Sequence, residues 1–150
     1  MPDAASTVRA GVRGLIAAMA MSGLRDFTAN IGLLEKSPPE VIIERHAPKK
    51  VKRLATEHRS AIIELAHWAY GAAGGAAFGL LPCRLRANPY VGPVYGLVVW
   101  LGFELGIGPL LGVQYREQRR PAHRAMLAID HMMYGTVVAG RLAPAPEVRP

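Results

Sequence analysis

Four apolar blocks alternate with basic or proline-bearing stretches along the chain. They are "VRGLIAAMAMSGL" running on to "IGLL", "AIIELAHWAYGAAGGAAFGLL", "YVGPVYGLVVWLGFELGIGPLLGV" and "AMLAIDHMMYGTVVAGRL". A membrane helix needs about 20 mostly apolar residues to cross ~30 Å of hydrocarbon. The second and third blocks reach that length, and the first and fourth do so if their charges are sheltered. The pattern predicts an all-α fold, a polytopic transmembrane four-helix bundle in one membrane domain, with spans near 11–34, 61–82, 91–113 and 125–142. Between the first two spans, "SPPE" offers Ser37 as an N-cap, prolines in the first turn and Glu40 three residues after the cap. A short amphipathic helix is expected within 37–59, with Val41, Ile42 and Ile43 on its apolar side and Pro48 as a stop.

Composition agrees with burial in lipid: 51% of the 150 residues are hydrophobic and mean hydropathy is +0.16, above what one water-soluble domain of this size needs. The formal charge of +7 would suggest nucleic acid in a soluble protein, but the cations fall between the apolar blocks. Eleven lie in the first and third connections and six on the opposite side, so the positive-inside rule places those connections in the cytoplasm and both termini outside. No aromatic residues interleave "KKVKR", which argues against a nucleic-acid partner. The expected partners are the lipid bilayer, anionic lipid headgroups at the basic loops, and either a second copy of the chain or another membrane protein. The expected location is the inner (plasma) membrane, with several passes. Residues up to "AMAMSG" have the outline of a secretion signal, yet helix-compatible residues continue to Leu34 and three more apolar blocks follow. The lone Cys83 excludes an intramolecular disulfide and a cysteine metal site.

Small residues recur every fourth position in three of the blocks. Gly14, Ala18 and Ser22 do so in the first, Gly71, Gly75 and Gly79 in the second, and Gly92 with Gly96, Gly102 with Gly106 and Gly108 with Gly112 in the third. Such strips let helix backbones approach closely where lipid removes the hydrophobic drive to associate. Pro93 is expected at the start of the third span and Pro109 at a kink near its end.

Chemistry-bearing residues share those strips. "HWAYG" at His67–Gly71 is echoed by "HMMYG" at His131–Gly135, with Glu64 and Asp130 nearby, and the "GL" pairs Gly14-Leu15 and Gly96-Leu97 begin comparable helices. The repeat suggests two related helix pairs. Residues three and four apart share a helix face, so Glu64, His67, Tyr70, Asp130, His131 and Tyr134, joined by Glu104, are expected to form a buried polar cluster, with Arg25 and Asp26 as further members. A hydrogen-bonded network that fixes helix register is the leading reading of that cluster, and a proton or solute path is another.

"GLIAAMAMSG", "SPPE", "HWAYGAAGGAAFGLLP", "FELGIGPLLG" and "DHMMYG", taken in order, resemble small bacterial integral-membrane proteins of unknown function, the YagU-like group and its relatives, over roughly Gly14 to Gly140. The resemblance implies a polytopic inner-membrane helical protein without an established activity. "ELAH" is a Glu-x-x-His step of the kind that di-iron bundles use twice, but the second copy lacks it. Metal or haem binding through His67 and His131 is therefore the alternative to a structural, accessory or transport-related role. No nucleophile–base pair, phosphate-binding glycine loop or paired zinc motif occurs. The sequence thus leans away from an enzyme and assigns no catalytic residue, no metal ligand set and no cofactor.

Overall fold

The computed structural model describes residues 4–30, 56–110 and 121–140. These residues form helices and short turns with no strand among them. Helix α1 spans Ala4–Asn30 and α2 spans Thr56–Gly79, both rich in alanine and other strong helix formers. After α2 the chain turns through Leu80 and Leu81 to Pro82, and the five-residue α3 (Cys83–Ala87) follows. Arg86 Nε–H donates to the Leu81 carbonyl at 2.9 Å, which satisfies an acceptor left over by the helix end. Asn88 Oδ1 then accepts the Tyr90 N–H at 3.0 Å, shaping the turn into α4 (Val91–Gly102).

The third element does not stop at Gly102. A π-helical turn, Phe103–Ile107, carries it into a last α turn, α5 (Gly108–Leu110). Pro109 supplies the reason: it has no N–H for the carbonyl one turn back, and its ring crowds that carbonyl, so the ladder widens ahead of it. Helix α6 (Pro121–Val138) has proline at its first position and ends at Gly140, whose φ of 74° gives the left-handed close of the helix.

Two antiparallel pairs make up the bundle, α1 with α2 and α4 with α6, and α1 also packs on α6. Both pairs cross on glycine, in matching register. A Cβ on Gly14 would run into the Gly71 carbonyl and come within 2.9 Å of Gly75 Cα. A Cβ on Gly92 would lie 2.8 Å from both the Gly135 carbonyl and Ala139 Cβ. Gly14 thus corresponds to Gly92, Gly71 to Gly135 and Gly75 to Ala139. This places the internal repeat one helical turn from the pairing suggested by the "GL" openings, because backbone contact and not local spelling sets the register. Ala17, Met21, Phe78, Tyr134 and Val138 form the apolar core where the pairs meet, and Phe78 packs edge-on against Tyr95 with ring centroids 5.1 Å apart.

Three expectations need correction or lie out of reach. Among the described residues no helix is long and apolar enough to cross a membrane, so the described parts of the four expected segments are largely helical but the membrane crossing expected of them is not supported. Arg9, Arg13, Arg25 and Asp26 lower the average of α1, alanine and glycine add little in α2, and the π turn divides the apolar third block. Gly102 and Gly106 meet nothing within 4 Å, so of the four strip glycines whose surroundings are described in this element only Gly92 and Gly96 are packed. The greater part of the loop helix expected over 37–59 lies outside the described residues, as does Gly112.

Candidate functional site

The register of the bundle sorts its interior into two halves. Toward one end, glycine and alanine bring α1 against α2 and α4 against α6 so closely that there is room for little else. Beyond Ala18 and Gly96 the interior turns polar. Ser22 is the hub of that half: its Oγ donates to Glu64 Oε2, and it accepts from Arg25 Nη2 and Trp68 Nε1, each at 3.2 Å. Four residues beyond Ala18, Ser22 stays on the same face of α1, where a small hydroxyl can meet side chains of α2.

Asp130 is 7% exposed and His67 and His131 are partly covered. The Arg25 guanidinium acts electrostatically on all three, and His131 acts on His67. These groups stand at one level of the bundle. The Tyr134 hydroxyl donates to the Gly71 carbonyl at 2.7 Å, and Asp130 and His67 each precede those anchors by four residues on the neighbouring helices α6 and α2. His131 Nδ1–H donates to the Leu127 carbonyl at 2.8 Å, so in the neutral ring Nε2 carries the lone pair. Three buried polar atoms have no hydrogen-bond partner among the described residues: His67 Nε2, Asp130 Oδ1 and Trp100 Nε1. Buried polar groups are ordinarily paired, so three such atoms in the polar half of one small bundle make that half the candidate site.

Glu64, His67, Asp130, His131 and Tyr134 therefore gather in the interior. Tyr70 does not: it is 48% exposed, although its spacing from His67 matches that of Tyr134 from His131. Helix α2 turns its glycine strip to α1, which leaves Tyr70 outside, whereas Tyr134 reaches across to α2. Glu104 instead pairs with Arg124 at 3.5 Å, near the start of α6. Asp26 is exposed. Sequence reasoning passed over Trp68, which donates to Ser22, Trp100, whose buried Nε1 has no partner among the described residues, and Tyr95, whose hydroxyl donates to the Gly74 carbonyl at 2.6 Å. An indole or phenol within an apolar block was the available signal, since such groups seek a partner once buried.

Among the described residues no group of three or more His, Cys, Asp or Glu is placed to hold a metal ion. What the arrangement offers is one guanidinium, two carboxyls and two imidazoles in an interior otherwise lined by small and apolar side chains. Comparison with known proteins adds no relative: no family model, no curated protein and no solved structure matches this chain.

Proposed function

We propose that this chain is a small multi-pass protein of the bacterial inner membrane, a bundle of two tandem helix pairs with a structural, accessory or transport-related role carried by its polar interior. The carrying observation is the apolar outer surface of the bundle. Its interior combines alanine, glycine, Ser22, Thr28 and Asp130 with the apolar Met21, Ile63, Phe78 and Val138, while Val12, Ile16 and Phe27 of α1, Leu65 of α2, Val94, Val98 and Leu101 of α4 and Ile129 of α6 face outward. In water such faces would leave large contiguous apolar patches, and in lipid they are the expected surface. Length supports the same reading. At ~1.5 Å per residue, α1 and α2 exceed the ~30 Å hydrocarbon layer and 91–110 roughly equals it, if the helix is followed through its π turn. Of the charges of α1, Arg9 lies near its start, Arg13 lies further in with its guanidinium against Gly140, and Arg25, near its end, reaches Ser22 in the polar interior. The resemblance to YagU-like proteins points the same way.

Alkaline carbonate extraction of membranes tests the proposal. The protein is expected to stay in the pellet, and its release as a soluble species would end the membrane reading.

A second reading, haem or metal held by His67 and His131, has one observation in its favour. A ring N–H donated to a backbone carbonyl, as His131 makes, is the usual way a ligating imidazole is oriented. An absorption spectrum and metal analysis of detergent-purified protein decide it, and a colourless, metal-free preparation removes it.

A further inference from the structure

We infer that the buried layer around His67 and Asp130 is a proton-binding site, reached by a polar path from one end of the bundle and closed from the other by an apolar plug. The inference rests on the membrane reading above and names the solute that the polar interior would handle.

Charge is the first support. Arg25 and Glu64 share the Ser22 hydroxyl, so that guanidinium and that carboxylate answer one another. Asp130 has no partner of that kind: among the described residues of the layer one guanidinium, Arg25, which also acts electrostatically on Asp130, stands against two carboxyls. A low-dielectric interior does not keep an uncompensated charge, and uptake of one proton resolves it. A metal cation would need a shared set of ligands, and no set of three is placed for one among the described residues. The orphan atoms supply the second, independent support. Among the described residues Asp130, more than nine-tenths buried, leaves Oδ1 unpartnered, and the imidazole of His67 at the same level leaves Nε2 unpartnered. A proton passing from the carboxyl to an imidazole nitrogen breaks one O–H bond and forms one N–H bond, leaving a carboxylate and an imidazolium. Both species stay in the layer, so the step needs no further reactant.

The path has a direction. From the layer, hydroxyls continue inward as Tyr134, on the Gly71 carbonyl, and Tyr95, on the Gly74 carbonyl. Beyond them the described interior turns apolar, with the Arg13 guanidinium against Gly140 at the far end. Phe78 and Val138, one turn beyond Gly74 and Tyr134, belong to the buried apolar cluster, with Leu81 and Val91 packed against it. On the opposite side, past the buried Ile63, stand the Glu104–Arg124 pair and, at the start of α2, the exposed His58 and partly exposed Arg59. A polar line that ends on a packed aromatic ring is a half-path, and an apolar constriction of this kind blocks passage by excluding water.

Proteoliposomes of the full-length protein, loaded with a pH-sensitive dye and driven by a potassium diffusion potential, test this. The parent protein is expected to run at the leak rate of protein-free vesicles. Phe78→Ala should raise proton entry by roughly tenfold or more by removing the ring that keeps the plug dry, and Val138→Ala should act in the same direction. Adding Asp130→Asn, nearly isosteric but without the ionisable carboxyl, should return the Phe78→Ala rate to the parent value. Two results overturn the inference: both plug variants, folded by size-exclusion and inserted, staying at the leak rate, or a Phe78→Ala flux that Asp130→Asn leaves unchanged. Carbonate extraction of the same vesicles separates the two proposals, because an inserted protein without flux sinks only the proton site, while failure to insert sinks the membrane reading.

Discussion

Gly96 and Gly102 lie less than two turns apart on the same helix, yet one is filled and the other empty. A Cβ at Gly96 would collide with the His131 carbonyl, a backbone atom that cannot swing aside, whereas at Gly102 nothing lies within 4 Å. Gly96→Ala must therefore push α4 from α6 and should cost about 1–3 kcal/mol, the usual range for overpacking. Gly102→Ala should instead add about 0.5–1 kcal/mol, because glycine loses more backbone freedom than alanine on entering a helix. Thermal melts in detergent check both, and equal effects of the two substitutions would show that α4 does not meet α6 in this register.

Proline placement distinguishes the two ends of the third element. Pro93 sits in the first turn of α4, where an N–H has no carbonyl within the helix to reach, so Pro93→Ala should leave the melting temperature near the parent value. Pro109 follows the π turn and deprives the carbonyls behind it of a donor. Pro109→Ala restores that donor and relieves the ring clash, so the melting temperature should rise, by the stabilisation that comes with roughly one regained helical hydrogen bond. A rise with Pro93→Ala and none with Pro109→Ala would mean that the π turn has another cause.

On the proposed membrane reading, charge sets the orientation of the bundle, and the chain carries its own reporter. Cys83 is exposed in α3, beyond the C-terminal end of α2, on the side expected to face outward. His58 is exposed near the opposite end of the same helix. In intact cells an impermeant thiol reagent should modify native Cys83 and spare a His58→Cys substitution made in a Cys83→Ser background. The reverse pattern would show that the eleven-to-six distribution of cations misassigns the sides.

Much of the candidate site could be read from spacing, because a helix fixes which of its own residues share a face. Glu64 with His67 and Asp130 with Tyr134 followed from intervals of three and four alone, as did the small-residue strips and the all-helical class. Spacing says nothing about how far a helix is rotated toward its neighbour. "HWAYG" and "HMMYG" are alike within their helices, but the α2 strip faces α1 and leaves Tyr70 outside, while α6 sends Tyr134 across to the Gly71 carbonyl. The same limit explains why the repeat aligns Gly14 with Gly92 and why Gly102 and Gly106 stand open. It also explains why Glu104 found Arg124, and why Ser22, a small residue among small residues, became the junction of Arg25, Glu64 and Trp68. Periodicity along one helix is local and is written in the order of residues. Which backbones touch depends on contacts between residues far apart in the chain, and those exist only once the four helices have packed.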